Sequence, residues 1–142
     1  MKILLAVDGS KNSLEAARCL VGHAGWYRRK PQVELVYVHL PVPKLPGMGS
    51  VVGRSQIKRY YEEEGAQALA AARKLLDAAR IAYAARVLVG QPAESIVRHA
   101  QAARCDLICI GNRGMSAAGN LLLGSVATRV LHIARVPVLL AR

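Results

Sequence analysis

An open α/β domain with a parallel sheet is the fold class this sequence predicts, and three observations predict it. Short β-rich runs alternate with helical patterns along the whole chain. The first run is continuously apolar, as in a strand covered on both faces. The chain has 142 residues, 53% of them apolar, which suits one folded domain and excludes a disordered chain. Strand–helix alternation implies βα units joined by right-handed crossovers. No internal repeat divides the sequence, so residues 1–142 are expected to form a single domain.

Lys2 to Val7 (KILLAV) is the first strand, broken by Asp8-Gly9-Ser10. Ser10 is placed to cap a helix over about Lys11 to Trp26, with Leu14, Ala17, Val21 and Ala24 on one stripe. Val33 to His39 is the second strand. The prolines after it, Pro41, Pro43 and Pro46, predict a surface loop to about residue 53. A long helix follows from about Ser55 to Arg80. Leu69, Ala72, Leu76 and Ala79 turn toward the sheet, and Glu62, Glu63 and Glu64 lie in its exposed first half. Ala82 to Val89 is the third strand. Pro92 opens the next helix, which buries Ile96, Val97 and Ala100. Asp106 to Ile110 is the fourth strand. The last helix spans about Asn120 to Ala134 with Val126, Val130 and Ile133 inward, and Val136 to Ala141 closes the sheet as a fifth strand.

Composition narrows the function classes. The apolar content is mostly Ala, Val and Leu, with no Phe, so helices can lie close on the sheet. No apolar run is long enough to span a bilayer, and no membrane partner is expected. The start MKILLAVDGS lacks the pattern of a signal peptide. Cys19, Cys105 and Cys109 are odd in number and lack metal-ligand spacing. They read as reduced core thiols, which places the protein in the cytoplasm. A net charge of +11 raises the question of a nucleic-acid surface. Few aromatics and evenly spread charges favour an ordinary basic surface instead.

Ligands of open α/β sheets bind beyond the carboxyl ends of the strands, near the reversal of strand order. Four places qualify: Asp8 to Ser10, His39 and its loop, Gly90, and the segment from Gly111 to Ser125. The last carries most information. Gly111-Asn112-Arg113-Gly114 follows a buried strand directly, and Gly124-Ser125 falls on the opening turns of a helix. A helix N-terminus offers unpaired N–H donors and a positive dipole end, and glycine lets an anion approach the backbone. The Ser125 hydroxyl and the N–H groups of Gly114 and Val126 can donate to phosphate, and Arg113 can add charge. Turn glycines in an idle loop are the plain alternative, but they do not explain Gly-Ser on a helix start. The Walker pattern GxxxxGK[ST] is absent, so fast phosphoryl transfer has little support. Asp8 is placed to bind a ribose hydroxyl, to hold Mg²⁺ through water, or to cap the first helix.

With these residues in place, the chain resembles the universal stress protein family. That family's ATP-binding signature, G-2x-G-9x-G-[ST], reads here as Gly111, Gly114, Gly124 and Ser125 with both spacers of the right length. ILLAVDGS resembles its first strand, and VYVH its second, with Val38 at the position whose backbone meets adenine. Gly90-Gln91-Pro92 with Ile96, and Val136 to Ala141, are similar to further family segments. The resemblance implies a Rossmann-like open five-stranded sheet of order 3-2-1-4-5 with helices on both faces. It implies a homodimer joined through the fifth strands. It also implies an ATP site of Ala6, Val7, Asp8, Val38, Gly111, Asn112, Arg113, Gly114, Gly124, Ser125 and Val126, with Mg²⁺. Asn112 stands where a small hydroxyl residue is more usual. The expected function is an ATP-binding, stress-response dimeric switch. A slow ATPase or phosphotransferase, with His39 as the histidine nearest the site, and a binder of nucleic acid or an acidic partner stay open beside it. A receiver domain is set aside, because Gly90 and Arg142 stand where it needs an acid and a lysine.

Overall fold

The computed structural model describes residues 1–43, 53–114 and 123–142. Five parallel strands form one sheet: β1 (Lys2–Ala6), β2 (Gln32–His39), β3 (Tyr83–Val89), β4 (Leu107–Gly111) and β5 (Val138–Ala141). Their spatial order is β3-β2-β1-β4-β5, as the resemblance implies. The α-helices among the described residues are α1 (Lys11–Gly22), α2 (Arg54–Ala78), α3 (Pro92–Ala102) and α4 (Ser125–Ile133).

Pleating divides the central strands between two cores. Ile3, Leu5 and Leu35 face α1 and α2, where they meet Ala17, Leu20, Leu69 and Leu76. Leu4, Ala6 and Val36 face α3 and α4, where they meet Ile96, Ala100 and Val130. Each large aliphatic side chain so buried contributes roughly 1.5–3 kcal/mol. Small residues at the contacts let the helices sit low. A Cβ on Gly65 of α2 would lie 2.3 Å from Val87 Cγ2 on β3.

Several boundaries differ from the sequence reading. The first helix stops at Gly22 rather than Trp26, and Ala24–Trp26 forms a separate 3₁₀ turn. The His23 imidazole supplies a local ending by donating from Nδ1 to the Cys19 carbonyl at 2.7 Å. The stripe on α1 is also rotated: Ser13, Ala16, Ala17 and Leu20 are the buried residues, while Leu14, Val21 and Ala24 pack at the margin. The last helix begins at Ser125, because Gly124 is extended (ψ 157°) and acts as its N-cap. Residues 120–122 and 44–52, parts of the expected last helix and surface loop, lie outside the described residues.

One charged group is built into the α3 face. Glu34, 7% exposed on β2, receives Lys2 Nζ at 2.9 Å and His99 Nε2 of α3 at 3.1 Å. Burial pushes its carboxyl up, but the hydrogen bonds and charges of Lys2 and His99 outweigh this and hold it below the usual carboxylate range. All three cysteines are free. Burial pushes the Cys109 thiol up to about 12, and its Sγ lies 3.6 Å from the Ala16 carbonyl.

Candidate functional site

β1 pairs with β2 on one side and β4 on the other, so the chain order reverses at its carboxyl end. A cavity of about 670 Å³ opens there, as the topology requires. Ala6, Val7, Ile110 and Gly111 line it from the strand ends, and Val36, Val38 and Ile96 add an apolar wall. Asp8, Arg113, Gly114 and the first turn of α4 bring the polar groups.

The glycines hold these parts together. A Cβ on Gly111 would lie 2.6 Å from the Asn12 carbonyl oxygen, so β4 meets the start of α1 with no room for a side chain. A Cβ on Gly114 would lie 2.7 Å from Asp8 Oδ2, which brings the two loops into one crevice. Gly124 packs on Arg113 and Gly114, and its N–H donates to the Asn112 carbonyl at 2.8 Å. The Asn112 N–H donates to Ala141 at 2.7 Å, so this residue ties β5 and α4 to the loop with its backbone. Asp8 Oδ1 accepts the Ser10 N–H at 3.0 Å, and Ser13 Oγ accepts the Asp8 N–H at 3.2 Å.

Two helix starts near the crevice differ in one respect. Ser10 caps α1 by accepting the Ser13 N–H at 3.1 Å. Gly124 has no side chain to cap α4. The intrahelical ladder begins with Thr128 N–H to the Gly124 carbonyl, so the N–H groups of Ser125, Val126 and Ala127 find no partner among the described residues. All three residues line the cavity. Arg113 adds a second unmet demand: its Nε is buried and has no hydrogen-bond partner among the described residues. A guanidinium N–H and an open helix start both call for an anion with several oxygens.

Ten of the eleven residues expected at the site line this cavity: all but Asn112, which acts behind it. His39 lines it too, with its ring 4.9 Å from Tyr61 and 5.3 Å from Tyr60. Sequence reasoning missed the ion pair of Glu94 on α3 and Arg129 on α4, 2.9 Å apart on the cavity lining. The hydrogen bond from Arg129 holds the Glu94 carboxyl below its ordinary range. The available signal was the four-residue step from Ser125 to Arg129, which puts both on one helix face. Among the described residues no group of three metal-binding side chains is present.

A doubly wound parallel sheet with a glycine-lined crevice at its switch point defines a ligand-binding α/β domain. The model of the universal stress protein family matches residues 1–142, and the chain belongs to that family. It is 36% identical over 140 residues to a universal stress protein of Thermus aquaticus, covering 99% of this chain and 97% of that one. It is 34% identical over 141 residues to a universal stress protein of Methanocaldococcus jannaschii, covering 99% and 81%. Among solved structures, UspA from Lactobacillus plantarum superposes with a TM-score of 0.81 at 22% identity, covering 100% and 97%. A universal stress protein in complex with cAMP gives 0.69 at 24%, covering 100% and 97%. A family member from Arabidopsis thaliana with AMP bound gives 0.69 at 14%, covering 99% and 90%.

Proposed function

We propose that this protein binds ATP, with Mg²⁺, in the crevice between β1 and β4 and acts as a nucleotide-dependent dimeric switch in a cytoplasmic stress response. The observation that carries the reading is the unmet anion demand in a largely apolar cavity. The buried Arg113 Nε and the uncapped start of α4 belong to residues that line the same cavity as Val36, Val38 and Ile96. Such a cavity suits a ligand with a flat apolar end and a charged tail. The base lies against Val38, the ribose near Ala6, Val7 and Asp8, and the phosphates on Gly111, Gly114, Gly124, Ser125 and Val126, with Arg113 adding charge. Asp8 holds Mg²⁺ through water. The cAMP- and AMP-bound proteins share this chain's fold, and the choice of ATP rests on the residues here.

The chain lacks the Walker lysine, so binding rather than rapid turnover fits the donor set. Three free thiols fit a reducing compartment. Titration calorimetry of the full chain with Mg-ATP tests the reading: saturable heat is expected from the wild type and none from Gly124→Glu, whose carboxylate enters the phosphate end. Absence of binding by the wild type, or undiminished binding by the variant, overturns it.

A further inference from the structure

We infer that the amino-terminal edge of the sheet, opposite the crevice, docks on an anionic bilayer surface with Trp26 as its apolar anchor. This is contact with a surface, not a span: no described helix is long and apolar enough to cross a membrane. The inference does not depend on the nucleotide reading.

Parallel topology gathers all four helix-to-strand connections at this edge. Each carries exposed cations: Arg28, Arg29 and Lys30 between α1 and β2, Arg80 before β3, Arg104 before β4 and Arg135 before β5. None of these six forms an ion pair among the described residues. Of the acids nearby, Glu34 is paired with Lys2 and His99. Asp77 and Asp106, the latter accepting the Lys2 N–H at 2.7 Å, are two acids against the six cations. The edge therefore presents an excess of positive charge.

Cations behind helix C-termini also offset the helix dipole, and that alone accounts for Arg80, Arg104 and Lys30, whose Nζ donates to the Ala79 carbonyl at 2.7 Å, but not for Arg28 and Arg29. It does not account for Trp26, which is 80% exposed on the 3₁₀ turn. Its indole is not loose: the His23 ring backs it at 4.0 Å, and the bond from His23 to the Cys19 carbonyl fixes that ring. A large apolar ring held out into solvent, two residues before three successive cations, pairs the two signals that reversible membrane contact needs. The cations span all four connections, so they cover a face rather than line a channel. Tyr27 and Tyr83 are partly buried, leaving Trp26 as the exposed ring at this edge. A strand-binding groove uses several open rings in succession. A planar anionic partner fits better.

Trp26 is the only tryptophan in the chain, so its emission reports directly on the contact. The full chain is mixed with vesicles of phosphatidylserine and phosphatidylcholine, with vesicles of phosphatidylcholine alone, and with a single-stranded oligonucleotide. Expected are co-sedimentation with the anionic vesicles only, a blue shift of the emission, and release by high salt. The double variant Arg28→Glu/Arg29→Glu should bind at least tenfold more weakly, given on the order of fivefold per cation removed. Trp26→Ala should also bind less, with unchanged circular dichroism and melting. Arg135→Glu, on another connection, should weaken binding by a similar single step. Failure to sediment with anionic vesicles overturns the inference, as does sedimentation without a spectral shift. So does quenching by the oligonucleotide at lower concentration than the vesicle response, which assigns the edge to nucleic acid.

Discussion

Glu34 sits in an otherwise apolar stretch of β2, and its carboxylate is tolerated there only because Lys2 and His99 meet both oxygens. Its pKa is lowered in the folded state. A depressed carboxyl contributes stability that is present above its unfolded pKa and is lost as pH falls through the folded one. The unfolded value is near 4.3, so the loss should set in below about pH 5. Glu94 is shifted the same way by Arg129, but that pair is exposed and contributes little. Urea unfolding of the wild type should therefore show stability declining as pH falls from 5 toward 3, and Glu34→Gln should flatten that decline. Parallel declines in the two proteins would show that another group carries the acid sensitivity.

At the level of elements, α2 reaches β3 through Gly65. Alanine is the better helix former by about 1 kcal/mol, which favours Gly65→Ala. Against this, the new Cβ would meet the stiff, β-branched Val87 at 2.3 Å, and overpacking costs about 1–3 kcal/mol. The clash should win, so Gly65→Ala is expected to lower the denaturation midpoint. In a Val87→Ala background the cost should shrink, since only the Val87 Cβ contact at 3.2 Å is left. A double-mutant cycle in denaturant measures that coupling.

The buried stripe of α2 was legible from spacing, since Leu69, Ala72 and Leu76 recur at helical intervals and need no partner to be recognised. The strands were legible as apolar runs for the same reason. Gly65 was not, because its meaning depends on Val87, 22 positions away. The end of α1 and the start of α4 were misplaced where a histidine ring and an extended glycine overrule the apolar pattern. In the crevice the glycines could be read because their spacing is local, whereas Glu94–Arg129 and Glu34–His99 join residues that only the fold brings together.

Across the whole molecule, the sheet has two edges, and they are not equivalent. β3 carries the exposed Arg86 in mid-strand, a charge that discourages further pairing. β5 (Val138 to Ala141) has no charge and exposes Leu139 at 36%. Leu131 on α4 is 43% exposed. Assembly through β5 is the arrangement this asymmetry supports. Sedimentation velocity should give a dimer for the wild type and a monomer for Leu139→Arg. A wild-type monomer, or a variant that still dimerises, would remove the β5 interface from the proposal.

The same sheet also holds a clock. Cys109 lies in β4 with 0% exposure and a thiol pushed up to about 12, while Cys19 is only half-buried. An alkylating reagent needs thiolate, and Cys109 packs on the α1 side of the sheet with its Sγ against the Ala16 carbonyl, so it is silent until α1 lifts away. Its modification then reports the opening of α1, whose start meets Gly111 at the crevice. A ligand that braces that junction slows the clock.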